Sequence, residues 1–135
     1  MANTIKLEII TPEAKIFSDD VEMVTLTGLD GEMGILPLHM PLMTQLVPGE
    51  IVARKDGKNL FLAVGDGFVQ VTGDRVAVLT DMAISAENID AAKAEEARRR
   101  AEARLAEKLN AEDSAMVSAT LAYSIAQLKI KHRQR

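Results

Sequence analysis

The chain contains no cysteine, no tryptophan, one tyrosine and three phenylalanines in 135 residues. Without thiols there is no disulfide framework, no thiolate zinc site and no cysteine nucleophile, a usage that fits a reducing compartment. So few aromatics argue against a stacking platform for single-stranded nucleic acid. No run approaches the roughly 18 apolar residues of a membrane-spanning helix. The opening residues lack both a basic patch and a continuous apolar stretch, so no secretory signal is expected there. Any membrane association is expected to go through a partner. Histidine is limited to His39 and His132, too few for a clustered metal centre. The G-x-S-x-G elbow of a serine hydrolase is also missing. An enzyme is therefore not expected.

Glycine and proline are absent from one region only. All eight glycines and all four prolines lie at or before Gly73. Up to about Ala83 the chain is rich in Val, Ile, Leu and Thr and punctuated by turn formers. From Ser85 it is dominated by Ala, Glu, Arg, Lys and Leu, the strong helix formers. Charge divides at the same place. Residues 1–84 carry six Lys/Arg against twelve Asp/Glu, a balance of −6, and residues 85–135 carry ten against eight, a balance of +2. The expected organisation is a β domain over 1–84 and a helical segment over 85–135. The β part alone would bury only about 60% of its unfolded surface, a marginal core.

Ile5 to Ile9 alternates apolar and polar as a half-buried strand does, and Pro12 ends it. Apolar runs follow at Val21–Thr27, Ile35–Leu36, Leu42–Val47, Ile51–Arg54, Leu60–Val64, Phe68–Val71 and Val76–Leu79. Turn signals separate them: Asp30-Gly31, Pro48-Gly49, Asp56-Gly57, Gly65-Asp66-Gly67 and Gly73-Asp74. Short strands at this spacing predict an antiparallel sandwich or barrel of eight to ten strands. Beyond them, Ser85 and Asn88 are candidate N-caps. Ala94, Ala97, Ala101, Leu105 and Leu109 recur at helical spacing, and Asn110 to Ser114 reads as a loop. Val117, Leu121, Ile125 and Leu128 form one side of a second helix, with Ala115, Ala119, Ala122 and Ala126 on another. The prediction is an antiparallel hairpin of helices at about 88–109 and 114–131, joined by a weak, alanine-rich seam.

Taken in order, these segments resemble the epsilon subunit of the bacterial F-type rotary ATP synthase from Ile5 to Ile130. The β part carries Thr27-Gly28-Leu29-Asp30-Gly31-Glu32-Met33-Gly34-Ile35-Leu36-Pro37-Leu38-His39-Met40-Pro41-Leu42, similar to the family's TG-x-x-GE-x-G-I-x-P-x-H-x-P-L stretch. Ala63-Val64-Gly65-Asp66-Gly67-Phe68 follows a second family segment, with Asp66 interrupting its paired glycines. Ile89-Asp90, Arg98-Arg99-Arg100-Ala101-Glu102 and Ala126-Gln127-Leu128-Lys129-Ile130 fit the family's hairpin.

The resemblance implies a ten-stranded antiparallel flattened β-sandwich followed by a two-helix hairpin. It also implies a peripheral, non-catalytic rotor subunit at the cytoplasmic face of the inner membrane. Such a subunit couples proton flow to ATP synthesis and restrains hydrolysis through its hairpin. The implied partners are the gamma subunit, the c-subunit ring and the alpha/beta catalytic head, with no nucleic acid. Asp30, Gly31, Glu32 and Met33 are the implied c-ring contact and His39 the gamma contact. Arg98, Arg99, Arg100, Arg104 and Lys108 are the implied contact to an acidic loop of the catalytic beta subunit. Bidentate guanidinium–carboxylate pairing makes that chemistry sound.

Some members bind ATP through I/L-D-x-x-R-A. Here that stretch is Ile89-Asp90-Ala91-Ala92-Lys93-Ala94, and Tyr123 and Gln127 stand where strong binders carry arginine. Lysine meets a phosphate only as a point charge. At most weak regulatory ATP binding through Ile89, Asp90, Lys93 and Arg100 is implied, with no other cofactor and no metal. From the residues alone, a free-standing β-sandwich adaptor oligomerising through its helices is the alternative.

Overall fold

The computed structural model describes residues 3–133. Ten strands precede two helices: β1 (Ile5–Ile10), β2 (Lys15–Val21), β3 (Met23–Gly28), β4 (Gly31–Ile35), β5 (Leu42–Leu46), β6 (Gly49–Lys55), β7 (Lys58–Val64), β8 (Gly67–Val71), β9 (Arg75–Thr80), β10 (Ala83–Ser85), α1 (Ala91–Leu105) and α2 (Ala111–Arg133). The hydrogen-bonded order is β10-β7-β6-β3-β5-β8-β9-β1-β2, with β4 paired to β3. The path folds into two layers where β3 meets β5 through the single pair Gly28–Leu46. Its two ends, β10 and β2, come back into contact, so the sandwich is nearly a closed barrel.

Alternation explains why these segments face one another. Ile5, Leu7 and Ile9 of β1 are fully buried together with Val69, Val71, Val76 and Val78. Val24, Leu26, Ile35, Ile51, Leu62 and Val64 meet them from the other layer. Every other residue on these strands faces away, as the period of two requires. The pairs are antiparallel except β1 with β9, which is parallel. Most of the β segment, including β3, β4, β6 and β7 of the second layer, separates those two strands. The connection is therefore long enough for parallel pairing, which a tight turn cannot provide.

Several local expectations are corrected. β2 has no counterpart among the predicted strands, because Ser18, Asp19 and Asp20 break its apolar pattern. As a terminal strand of the sheet it tolerates them, and Asp19 accepts a hydrogen bond from Lys55 Nζ of β6, tying the layers together. That bond holds the Asp19 carboxyl below the usual range and raises Lys55. β10 extends the β part through Ser85, so the break falls after Ser85 rather than after Ile84. At Asp56-Gly57 both residues have positive φ, 52° and 74°, the two-residue turn that Asp-Gly predicts. At the first turn, however, the central residues are Leu29 and Asp30, since Gly28 pairs with Gly31.

The helices also begin and end elsewhere. Ala86–Asn88 is a single 3₁₀ turn, and Ser85 makes no side-chain cap bond to it. Asp90 caps α1 instead, accepting from the backbone N–H of Ala92 at 3.0 Å and of Lys93 at 3.2 Å. α1 ends at Leu105, so Lys108 and Leu109 lie in the connecting loop. Asn110 Oδ1 accepts from Asp113 N–H at 2.7 Å and starts α2 three residues earlier than predicted.

α2 is the helix that rests on the sandwich. Ala126 and Ile130 are buried with Ala63, Ala86 and Ile89, and Phe61, Ile84 and Tyr123 pack against that cluster. α1 packs on α2 along a seam of small residues, with Ala94, Ala101, Val117 and Ser124 buried. The Ser124 hydroxyl is satisfied by donating to the Thr120 carbonyl at 3.0 Å. No helix among the described residues is long and apolar enough to cross a membrane.

Candidate functional site

Three surfaces stand apart from the core, and each is set by a different element. The first is the β3–β4 turn. Leu29 is 65% exposed at its tip, and Gly31 takes a φ of 116° that side-chain-bearing residues rarely adopt. Along β4, Glu32 and Gly34 face outward while Met33 and Ile35 face the core. Of the four residues assigned to a ring contact, Asp30, Gly31 and Glu32 are therefore presented together, but Met33 packs inward. The strand's period of two puts the Met33 side chain opposite that of Glu32, while Gly31, without a side chain, is exposed at the turn itself. Glu32 has no basic partner within 4 Å among the described residues. It borders a groove of about 580 Å³ between the outer face of β3 and β6 and the last turns of α2.

The second surface is apolar. The segment from Leu36 to Pro41 joins the layers and carries Leu36, Leu38 and Met40 at 55%, 86% and 79% exposure. Leu38 sits at φ 66° while its N–H donates to the Gly73 carbonyl at 3.1 Å, which pins the segment to the β8–β9 turn. His39 lies among these residues, its Nδ1 2.8 Å from the Met40 carbonyl oxygen. Beside the segment, the outer face of β5, β8 and β9 exposes Met43, Phe68 and Leu79. Phe68 pairs directly with Leu79, and Met43 lies diagonal to Phe68 across β5–β8. This face has no counterpart among the sites expected from the sequence. The signal was present: Phe68 and Leu79 are large apolar residues on the outward phase of strands whose inward phase is already filled by Val69, Val71, Val76 and Val78. Glu8 borders the face at 7% exposure, 2.9 Å from Lys15 Nζ and 3.3 Å from Arg75 Nη1.

The third surface is the exposed side of α1. Arg98 pairs with Glu95 and with Glu102, the latter at 2.7 Å, and Arg99 pairs with Glu95 at 3.3 Å. The Arg98 hydrogen bond, foremost, depresses the Glu95 carboxyl. Arg100 and Arg104 have no carboxylate within 4 Å among the described residues. They stand at the rim of a cleft of about 260 Å³ between the helices, floored by Ala97, Ala101, Met116 and Val117. The five-residue basic face is thus divided. Two arginines are occupied within the helix, two are free, and Lys108 is off the helix because α1 stops at Leu105.

The nucleotide-motif residues are not gathered into one site. Ile89 is 4% exposed within the cluster under α2, and the Asp90 carboxylate is engaged in capping. Lys93 and Arg100 share a face of α1 about 10 Å apart along its axis.

Two family descriptions together span nearly the whole chain. Residues 4–86 match the ATP synthase delta/epsilon chain beta-sandwich domain, and residues 87–131 match the long alpha-helix domain of the same chain. The ATP synthase epsilon chain of Dehalococcoides mccartyi is 43% identical over 132 residues, covering 97% of this chain and 94% of that relative. The fold resembles a chain of the Euglena gracilis mitochondrial ATP synthase, from an assembly of OSCP, F1 and c-ring. That likeness has a TM-score of 0.75 and 24% identity, covering 96% of this chain and 81% of the other. It also resembles a chain of the central stalk and c-ring of the Tetrahymena thermophila mitochondrial enzyme. Here the TM-score is 0.64 and the identity 12%, over 92% of this chain and 96% of the other.

Proposed function

Because this chain belongs to the ATP synthase delta/epsilon chain family, we propose that it is a non-catalytic subunit of the rotor's central stalk. In this reading it turns with the c-ring at the cytoplasmic face of the membrane, transmits proton-driven rotation, and restrains ATP hydrolysis through its hairpin. The solved assemblies it resembles contain F1, central stalk and c-ring, and we carry those partners over as a proposal.

The observation that carries the reading is the separation of surfaces. The turn carries the carboxylates of Asp30 and Glu32 beside the exposed Leu29 at its tip, an edge suited to basic loops of a ring. The apolar strip of Met43, Phe68 and Leu79, with Leu36, Leu38 and Met40 beside it, is too concentrated to be left to water and suits a long helical partner such as gamma. His39 sits at the border of that strip. Both surfaces belong to the sandwich, and neither is covered by the hairpin. Coupling is therefore assigned to the sandwich and restraint to the hairpin, whose Arg100 and Arg104, without an ion-pair partner among the described residues, are the groups best placed to meet an acidic segment of the catalytic head.

Deleting everything after Ser85 tests this division. The assembled complex should keep proton-driven ATP synthesis and hydrolyse ATP faster than with the full chain. Loss of synthesis by a truncated subunit that retains its β-type circular dichroism would refute it.

A further inference from the structure

The hairpin is joined to the sandwich by chain only at its α1 end, through the 3₁₀ turn and Ile89. The opposite end of α2 reaches the sandwich by contact alone, and a specific contact is found there. Arg133, in the last turn of α2, donates to both carboxylate oxygens of Glu50 at the start of β6, to Oε1 from Nη1 and to Oε2 at 3.1 Å from Nη2. The same guanidinium lies 4.8 Å from the centre of the Phe61 ring on β7. Glu50 is largely shielded, its side chain 19% exposed, and the Arg133 side chain is 46% exposed. A bidentate carboxylate on one side and an aromatic ring on the other fix the guanidinium in two directions, a geometry that lysine could not reproduce. The bond spans eighty-three positions of sequence, so it has no local reason to form.

We propose that Glu50, Phe61 and Arg133 form a latch that sets how often α2 leaves the sandwich. The rest of the seat is weak. Three of the five buried residues in the cluster are alanines, Ala63, Ala86 and Ala126, and only Ile89 and Ile130 are large. Ile89 precedes α1 and is not part of α2. With the Glu50–Arg133 bond released, α2 is held in this cluster by Ile130, Ala126 and the half-buried Tyr123, against Phe61, Ala63 and Ile84. The proposal rests on the rotor reading only for its consequence: a hairpin that lets go of the sandwich is the one free to reach the catalytic head.

The chain supplies its own reporter. Tyr123 is the only tyrosine, there is no tryptophan, and Tyr123 packs in the seat of α2. In the full-length subunit at low salt, acrylamide quenching of tyrosine fluorescence and hydrogen exchange of α2 amides read undocking directly. Amides of β1 and β9 report whether the sandwich is intact. Glu50→Gln keeps the side chain's shape and should raise α2 exchange and Tyr123 quenching. Arg133→Ala, which also loses the ring contact, should raise exchange further, in the range of about three- to thirty-fold. The exchanged pair Glu50→Arg with Arg133→Glu should recover part of the protection. Rising salt should narrow the difference between wild type and Glu50→Gln.

Unchanged α2 exchange and quenching in both single variants, with β1 and β9 intact, would overturn the latch. Hydrolysis by the assembled complex separates the two readings. If Tyr123 becomes accessible in Glu50→Gln while hydrolysis is unmoved, the latch stands and the inhibitory role of the hairpin falls.

Discussion

Replacing Ile130 by alanine should release α2 from the sandwich while leaving the sandwich folded. Ile130 is 0% exposed and sits against Ala63, Ala86, Ile89 and Ala126. It is the one large, fully buried residue that α2 contributes to this cluster. Truncating a buried isoleucine to alanine costs about 2–5 kcal/mol, the spread reflecting how far the site collapses. Ile130 lies in the last turn of a helix end that can settle inward, so the low end, about 2–3 kcal/mol, is appropriate. At about 1.4 kcal/mol per tenfold the docking equilibrium shifts by roughly 30- to 150-fold. Alanine is the stronger helix former, so α2 itself should not melt. The main core of Leu7, Val24, Ile51, Val78 and their neighbours does not include Ile130 and should not feel the change. Hydrogen exchange followed by mass spectrometry decides the matter. Peptides from 111–133 should exchange faster by about the factor above, and peptides from β1 and β9 should not. If strand and helix peptides lose protection in step, sandwich and hairpin are one cooperative unit and α2 does not undock separately. If neither changes, α2 is held by something other than this cluster.

Glu32→Lys should leave the melting temperature nearly unchanged, as for an exposed residue without a partner, yet weaken retention of the subunit on c-ring-containing membranes; normal retention would return the turn to an ordinary hairpin role. Arg100→Ala with Arg104→Ala should raise ATP hydrolysis by the assembled complex, whereas Arg98→Ala with Arg99→Ala should do so less, because those two are already paired within α1; equal effects in steady-state assays would contradict the division. Glu8 gives a pH prediction. The Lys15 hydrogen bond, foremost, holds its carboxyl below the usual range against the opposing effect of burial, with Arg75 assisting. Its folded pKa is lower than its unfolded one, so its stabilisation is fully present above about pH 4.3 and is lost as pH falls through the lower folded value. Thermal melts from pH 2 to 7 should show a shallower acid limb for Glu8→Gln than for wild type.

The sandwich was readable in the sequence wherever alternation met a turn former. β1, β5 and β7 to β9 appear at nearly their observed positions because their inward residues are Val, Ile and Leu and their ends are Gly, Pro or Asp. β2 was hidden because a terminal strand exposes its polar residues, and alternation cannot register Ser18-Asp19-Asp20 as extended. Met33 reads as a contact residue only if the turn is one unit, whereas the pleat sends Glu32 and Met33 to opposite sides. Helix ends were displaced for a comparable reason. Asn88 and Asp90 are both good caps on composition, and only the 3₁₀ turn consuming Ala86–Asn88 decides between them. The division of the arginines was beyond sequence, since it depends on which glutamate each guanidinium reaches. The apolar strip was within reach: one phenylalanine on the wrong phase of β8 was enough to mark it.

The parallel pairing of β1 with β9 orders events during synthesis. The innermost strands of one layer are separated by most of the β segment, so the sandwich cannot close until Thr80 has left the ribosome. The forty-eight residues from Ala86 to Arg133 follow. At about 5–20 residues per second they take roughly 2–10 s to appear, long compared with the folding of a small β domain, which takes milliseconds to seconds. A sandwich that folds at that rate closes with Phe61 and Ala63 bare, before α2 is in place to cover them. For those seconds its two faces are both naked apolar surfaces, and a chaperone or an assembling partner meets a molecule without its hairpin. Only later does the chain become the two-part object described above.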